Sequence, residues 1–318
     1  MHDWNRFWFR AGPPTNLAAA RIIIGAHALW ILLSRDLPGI SGLPVEFWHG
    51  VTASTQWRYL LFPQHERLEQ VLFGTAIVSL TSVVLGLYPR LACLTSALLL
   101  YHLAPLETII WTPNPYERGF DIAVISLVVL AVSPCADAWS VHRKREHDAA
   151  PWSAEYHWPV LVIQLVIAQV YLFSGYAKLY RVGWNWVSSE NLRRWLLVFN
   201  QQDQIARFDW IGPWLAQNDT LTWLIAAAAI CLDLVFVIVL FVPRLRAWLV
   251  ATALAFHLGI LLTMNIAFLN VPQLLVFVNW DWIAGRARHW LVRHWPSGDP
   301  LGTSSGDETY RRVTTESL

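Results

Sequence analysis

Long apolar runs separated by short polar segments divide most of the 318-residue chain. Each run is about 18 to 22 residues long, which is the length an α-helix needs to cross the hydrocarbon core of a bilayer. The runs begin near Leu17, Glu69, Arg90, Phe120, Trp158, Leu221, Leu245 and Ile266. This pattern predicts an all-α, polytopic membrane protein with about eight transmembrane helices.

The composition agrees with a chain that lies mostly in lipid. Hydrophobic residues make up 55% of the sequence and charged residues 14%, and many of the 20 tryptophans flank apolar runs. Tryptophan is enriched in this way at membrane interfaces, where the indole N–H stays hydrated. We therefore expect the lipid bilayer as a partner. The net charge of +1 gives no indication of a nucleic-acid partner.

The distribution of basic residues predicts the orientation of the chain. If the N-terminus is cytoplasmic, every inner segment is basic, as the positive-inside rule requires. The residues concerned are Arg6, Arg10, Arg90, Arg143, Lys144, Arg145, Arg244, Arg246, Arg286, Arg288 and Arg293. We predict a multi-pass protein of a bacterial inner membrane with both termini in the cytoplasm.

Three regions follow from this topology. Residues 1–16 form a cytoplasmic N-terminal segment, residues 17–285 the membrane domain, and residues 286–318 a basic and then disordered cytoplasmic tail. Within the membrane domain, the outer segments 35–68 and 181–220 are too long to be simple turns. The second contains an apolar stripe between Asn191 and Asn200 that is typical of an interfacial amphipathic helix. Together these two segments could cover a cavity.

Lys178 is the candidate that stands out chemically. Basic residues in this chain are almost all arginine, and the only other lysine is Lys144. Unlike a guanidinium, an ammonium can lose its proton when desolvated and then act as a base. Aromatic and small neighbours predict a pocket for a flat hydrophobic ligand, formed by Tyr171, Gly175, Tyr180, Trp184 and Trp186. The alternative is a structural lysine that extends its ammonium to the headgroups.

Other ionisable residues lie within the predicted spans, where they are costly and mark either function or bonding between helices. His102 and Glu107 lie near the outer end of the third span and are candidate neighbours of Lys178. His257 is either a hydrogen-bonded core residue, which is the commoner role, or a catalytic group. Asp233, near the middle of its span, must be protonated or paired with a residue that the sequence does not identify.

Three further polar residues favour structural roles. Arg21 lies near the inner end of the first span, where pairing with a carbonyl or an acid is expected. Arg118 and Asp121 are three positions apart and predict an ion pair at the start of the fourth span.

Several classes of site are not supported by the sequence. It contains no P-loop, dinucleotide-binding fingerprint, zinc-ligand spacing or nucleophile elbow, so no metal is indicated. The three cysteines form no C-x-x-C pair, which argues against a disulfide framework or a thiol relay.

Short motifs in three spans resemble the horizontally transferred transmembrane (HTTM) domain, which is the membrane domain of the vitamin K-dependent γ-glutamyl carboxylases. The likeness runs from about Trp4 to Trp282. Its residues are Leu17, Arg21 and Gly25, then Tyr171, Gly175, Lys178, Leu179 and Trp184, then Phe256, His257, Asn265, Phe268 and Pro272.

The resemblance implies a specific chemistry. In the carboxylases a lysine in a Gly-x-x-Lys-Leu segment deprotonates a reduced quinone, and Lys178 occupies that lysine's place. It implies a carboxylase-like enzyme with a reduced quinone of the menaquinone or vitamin K type and a peptide substrate. The catalytic residues implied here are Lys178, His257 and Asn114.

The sequence also departs from the carboxylases. Asn114 stands where they carry a histidine before the fourth span, and their large lumenal β-rich region has no counterpart here. Three hypotheses therefore remain: a quinone-dependent enzyme acting at the outer face, a non-catalytic membrane module for peptide maturation, export or lipid binding, and an ion pathway. The third is the weakest, because the spans show no inverted repeat.

Overall fold

The computed structural model describes residues 2–35, 37, 39, 66–110, 120–141, 152–202 and 210–294. Within these ranges the structure is helical and contains no strand, apart from an isolated β-bridge between Gly12 and Ser153. The helices are α1 (His2–Phe9), α2 (Pro14–Leu33), α3 (Glu66–Leu85), α4 (Pro89–Ile110), α5 (Asp121–Ala131), α6 (Ala154–Val182), α7 (Ser189–Gln202), α8 (Ile211–Ala216), α9 (Asp219–Val235), α10 (Pro243–Met264) and α11 (Trp280–His294). Short 3-10 helices follow α6 at Gly183–Val187, α9 at Phe236–Leu240 and α10 at Val271–Phe277.

Five helical stretches in the described residues are long and apolar enough to cross a membrane. They are Pro14–Leu33, Glu66–Leu85, Ala154–Val187, Asp219–Leu240 and Pro243–Met264. The predicted third span corresponds to α4, which has 22 residues, and the predicted fourth contains the short α5 of 11 residues. The all-α, multi-pass architecture is thus confirmed, whereas the number of eight spans and the orientation remain predictions.

The predicted eighth span, from Ile266, is not a continuous helix. The chain leaves α10 at Asn265, which has a left-handed backbone with φ of 56°, and forms only a 3-10 helix before α11 begins at Trp280. Apolar composition alone predicted a helix here. Pro272 lacks the backbone N–H that an α-helix would use, and the left-handed residue ends α10.

This broken segment packs against the bundle, where Gln273, Leu274, Val276 and Phe277 are buried. His27, in the middle of α2, hydrogen-bonds to the carbonyl of Leu269 at 2.6 Å, and Gln164 of α6 donates to the carbonyl of Val276 at 3.0 Å. Non-helical backbone is tolerated at membrane depth only where protein or water satisfies its polar groups. Side chains of α2 and α6 therefore supply the hydrogen bonds that a regular helix would have made internally.

Contacts between distant parts of the chain gather one set of helix ends together. They join Gly12 to Ser153, Val141 to Leu85, Phe7 to Phe241, and Thr15 to Asp281. These residues lie in or beside segments that the basic residues predict to be cytoplasmic. Lys178 lies near the other end of α6, away from these contacts.

The end of the bundle near Lys178 is covered by α7 and α8. Leu196 of α7 packs with Leu215 and Ala216 of α8 in a small separate apolar cluster. Arg193 donates to the carbonyl of Ala216 at 2.9 Å and pairs with Asp219 at the start of α9. The predicted amphipathic helix at residues 191–200 thus lies within α7. Arg193 connects this helix to α8 and α9.

Candidate functional site

Three residues on one face of α6 form the framework of the site. Tyr171, Gly175 and Lys178 are spaced four and three positions apart, which places them in a row along the helix. The face packs against α9. A Cβ atom on Gly175 would lie 2.9 Å from the Cβ of Asp233 and 3.0 Å from Cδ2 of Leu234. Only glycine allows α6 and α9 to approach this closely.

Lys178 forms an ion pair with Asp233 across this contact. Its Nζ donates to Oδ2 of Asp233 at 2.5 Å, and the side chains are 22% and 4% exposed, respectively. The Lys178 ammonium also lies 5.4 Å from the centre of the Trp186 ring, within the range of a cation–π interaction. Asn191 of α7 donates to the Trp186 carbonyl at 3.1 Å and so fixes the turn that carries the indole.

A second pair lies two helical turns along α6. The hydroxyl of Tyr171 and Nε2 of His257 are 2.8 Å apart, and the Tyr171 ring packs on Phe236 with centroids 4.2 Å apart. His257 also packs against Phe268, with ring centroids 5.0 Å apart. Its other ring nitrogen, Nδ1, is buried and has no hydrogen-bond partner among the described residues.

The two pairs lie on one face of α6. Tyr171 and Lys178 are seven positions apart, or about 10 Å along the helix axis. We refer to Tyr171, Lys178, Asp233 and His257 as the polar cluster. Lys178 Nζ donates to the Asp233 carboxylate, so the two groups share their protons. A proton taken up at this site is therefore accepted by the Lys178–Asp233 pair and not by the amine alone. In the described part of the chain, no group of three or more His, Cys, Asp or Glu residues could hold a metal ion.

The structure brings some of the predicted pocket residues together and separates others. Gly175, Tyr171 and Trp186 lie against Lys178 or Asp233, as described above. Tyr180 and Trp184 are 78% and 80% exposed, and Tyr180 stacks on Tyr176 with centroids 5.7 Å apart. Their exposure is that of surface aromatics and not of the walls of an enclosed pocket. Tyr180 is two positions after Lys178 and lies on another side of α6, and Trp184 lies in the 3-10 helix that follows.

The remaining predicted residues lie elsewhere or beyond the description. His102 pairs with Glu69 at 2.7 Å between α3 and α4, so this pairing replaces the predicted contact with Lys178. Arg21 is fully buried and donates to the Trp139 carbonyl at 2.6 Å. Asp121 begins α5 and is exposed. Asn114, Arg118 and the side chain of Glu107 lie outside the described residues.

Sequence reasoning missed the partner of Asp233. The sequence placed Lys178 at the end of its span and Asp233 near the middle of another, which suggested different depths. Asp233 is 14 positions after the start of α9 at Asp219, or about 21 Å along the helix axis. Since Gly175 touches Asp233, α9 extends beyond the end of α6, and the two charges lie at the same level. The signal that could have found the pair was the presence of opposite charges in two spans.

Comparison with known proteins places the chain in a family. The family model for the HTTM domain matches residues 9–295, nearly the whole length. No curated protein and no solved structure matches the chain. The matched region contains the five membrane-spanning stretches and the polar cluster, so this multi-pass membrane protein belongs to the HTTM domain family.

Proposed function

We propose that this chain is a quinone-dependent membrane enzyme whose polar cluster removes a proton from a hydroxyl group of a reduced quinone. The observation that carries the proposal is the Lys178–Asp233 ion pair lying beside the Tyr171–His257 pair at a packed helix contact. Ionisable groups in a membrane interior mark functional sites more often than not. The site would act at the outer face of a bacterial inner membrane, which is the side that the basic residues predict.

The residues present fit a flat phenolic ligand. The unpartnered Nδ1 of His257 is a buried polar atom able to bond with a hydroxyl group, and Phe268 and Trp186 offer ring faces nearby. A reduced quinone of the menaquinone or vitamin K type would supply the acidic hydroxyl and the reducing electrons.

Each member of the cluster has a distinct role in this proposal. The Asp233 carboxylate, hydrogen-bonded to Lys178, is the proton acceptor of the pair, and the Lys178 ammonium stabilises the negative charge that proton removal creates. Tyr171 holds the His257 ring through Nε2, which leaves Nδ1 free to orient the ligand. The role that the sequence assigned to Lys178 alone is thereby shared with Asp233. Carboxylation of a peptide glutamate, which the resemblance implies, is one reaction that such a site could serve.

A non-catalytic membrane module is the second candidate. It is favoured by the close packing at Gly175, because an ion pair at such a contact can join α6 to α9 without any chemistry. In this role the chain would serve peptide maturation or export, or hold lipid. Charge at position 178 would then matter, but the identity of the basic group would not.

Binding of a menaquinone analogue to the full chain in lipid nanodiscs, followed by quenching of tryptophan fluorescence, tests the proposal. The variant K178M/D233L removes both charges together, so it should fold, and we expect it to bind the analogue at least tenfold more weakly and to lose oxidation of the reduced form by molecular oxygen, which is the electron acceptor in the assay. The matched control is E69L/H102L, which removes the other buried ion pair and should bind as the wild type does.

The variant K178R separates the two candidates. We expect it to lose quinol oxidation, because the larger planar guanidinium cannot reproduce the hydrogen-bond geometry of the ammonium with Asp233 at this tightly packed contact. Full binding and oxidation by K178M/D233L would overturn the enzyme proposal. Absence of quinone binding in the wild type, with normal folding of K178R, would favour the non-catalytic module.

A further inference from the structure

A cluster of basic side chains lies at the opposite end of the bundle from Lys178. Arg10, just after α1, donates from Nε to Nε2 of His157 in the second turn of α6 at 3.0 Å. Arg246, in the first turn of α10, interacts electrostatically with both Arg10 and His157. We call Arg10, His157 and Arg246 the arginine cluster.

The fold holds Arg10 in this position. Gly12 and Ser153 exchange two backbone hydrogen bonds of 3.0 Å, which fix the segment after α1 against the start of α6. A Cβ atom on Gly12 would lie 3.1 Å from the Cβ of His157, so the contact is tight. Phe7 of α1 stacks on Phe241, just before α10, with centroids 5.3 Å apart. The cluster is therefore held between three elements and is not a chance approach of two flexible side chains.

The charges in this cluster do not balance. Because the Arg10 guanidinium is a donor, Nε2 of His157 must be unprotonated, and the histidine adds no charge of its own. Two positive arginines thus lie close together, although like charges repel. The acidic residue nearest in sequence, Glu155, is exposed. Within the described residues, no carboxylate neutralises the cluster.

One donor in the cluster is also unsatisfied. Nε of Arg246 is buried and has no hydrogen-bond partner in the described part of the chain. Leaving a buried charged donor without a partner is costly, so natural structures pair such groups with protein, water or a ligand. The uncompensated charge of the two arginines and the unpaired Nε–H of Arg246 both favour binding of an anion.

We propose that the arginine cluster binds the phosphate of an anionic phospholipid headgroup. Arginine suits phosphate because its planar fork donates two parallel hydrogen bonds. The surroundings favour a lipid over a soluble phosphate, because Trp4 of α1, which stacks on Phe7, is strongly exposed at this end of the bundle. Exposed aromatics suit the headgroup level of a bilayer, and basic pockets between helices bind anionic lipids there. This inference does not depend on the proposed enzyme activity.

Thermal unfolding of the full chain in detergent, with phosphatidylglycerol or phosphatidylcholine added, tests the proposal. We expect phosphatidylglycerol to raise the midpoint of unfolding well above the value with phosphatidylcholine. In R246Q and in R10Q the difference between the two lipids should fall by half or more. Each substitution should weaken phosphatidylglycerol binding, measured by native mass spectrometry, about fivefold, the effect expected for one arginine near an anionic lipid surface.

The chain offers a matched control on the same helix. Arg244 is exposed and lies two positions from Arg246, which places it on nearly the opposite side of α10. R244Q removes the same charge, so it should keep the full response to phosphatidylglycerol. If R246Q fails to fold, the exposed Arg10 provides the test through R10Q.

Two outcomes would overturn the proposal. An equal response to phosphatidylglycerol in the wild type, R10Q, R246Q and R244Q would show that the cluster does not bind the headgroup. Stabilisation by millimolar inorganic phosphate that matches the effect of phosphatidylglycerol and is lost in R246Q would identify a soluble phosphate as the ligand.

Discussion

Two buried polar pairs among the described residues join neighbouring helices, and they differ in what surrounds them. His102 and Glu69, between α3 and α4, are 2.7 Å apart and 0% and 1% exposed. Lys178 and Asp233, between α6 and α9, are equally close, but Lys178 retains partial access to the surface. Sequence reasoning grouped His102 with Lys178 as one candidate site. The structure shows that an ionisable residue at the right depth is not sufficient, because access and neighbouring groups also matter.

The immediate neighbours reinforce this distinction. In the sealed pair, Oε2 of Glu69 is buried and has no hydrogen-bond partner among the described residues. Ser79, ten positions further along α3, donates to the carbonyl of Ala92 at 2.9 Å and lies 2.8 Å from the hydroxyl of Ser96, so it forms a separate polar contact between the same two helices. Beside the Lys178–Asp233 pair lie an aromatic ring and a histidine with an unpartnered ring nitrogen. A sealed pair can specify how helices pack, whereas the accessible pair has groups in place to contact a ligand.

The largest effect should come from breaking the sealed pair. H102L leaves the buried Glu69 carboxylate without this partner, which should cost about 3–5 kcal/mol of unfolding free energy. The double variant E69L/H102L should recover most of that loss, because no unpaired charge remains. Unfolding in mixed detergent micelles measures both. A single variant as stable as the wild type would contradict the view that this pair is structural.

Breaking the accessible pair should separate stability from function. K178M leaves Asp233 unpaired and should cost about 3 kcal/mol, near the low end for a buried pair. K178M/D233L should regain that stability but not quinone binding. This test distinguishes the two pairs most clearly. Both double variants should restore the stability lost in the single variants, but only K178M/D233L should lose quinone binding. Recovery of binding together with stability would show that the two pairs serve the same purpose.

The sequence predicted the architecture better than it predicted the site. Apolar run length was sufficient for the five helical stretches that are long and apolar enough to cross a membrane, because burying backbone in lipid leaves few alternatives to a helix. It failed at Ile266, where buried protein groups such as His27 and Gln164 satisfy a non-helical backbone. Such compensation comes from residues more than a hundred positions away and has no local signal.

In the candidate site, too, the sequence predicted the local relations between residues but not the tertiary ones. Tyr171, Gly175 and Lys178 share a helical face through their spacing, so local periodicity was enough to group them. Asp233 as the partner of Lys178 depends on how far α9 extends past the end of α6. That relation is set by tertiary packing, which one helix's sequence does not encode.

A smaller effect should follow from removing the Tyr171 hydroxyl. Y171F leaves Nε2 of His257 without its partner, which should cost about 1–2 kcal/mol. The ring would then be free to rotate or change tautomer, so quinone binding should weaken by about tenfold if Nδ1 orients the ligand. The phenylalanine keeps the packing on Phe236, so folding should be preserved. Unchanged binding in fluorescence titrations of this variant would remove His257 from the proposed site.

The smallest effect should come from the residue that holds the Trp186 turn. N191A removes the hydrogen bond from the Asn191 amide to the Trp186 carbonyl, which should cost about 1 kcal/mol or less, since this contact is only partly buried. The indole would no longer be fixed over Lys178, so we expect a few-fold loss of quinone binding without a matching loss in the stability of α6 and α9. N200A alters another asparagine of the same helix and is the control. Equal losses of quinone binding in both variants would mean that α7 affects the site only through general packing. A loss in N191A alone would show that the turn carrying Trp186 positions this indole beside Lys178. The sealed His102–Glu69 pair has no such positioned aromatic ring.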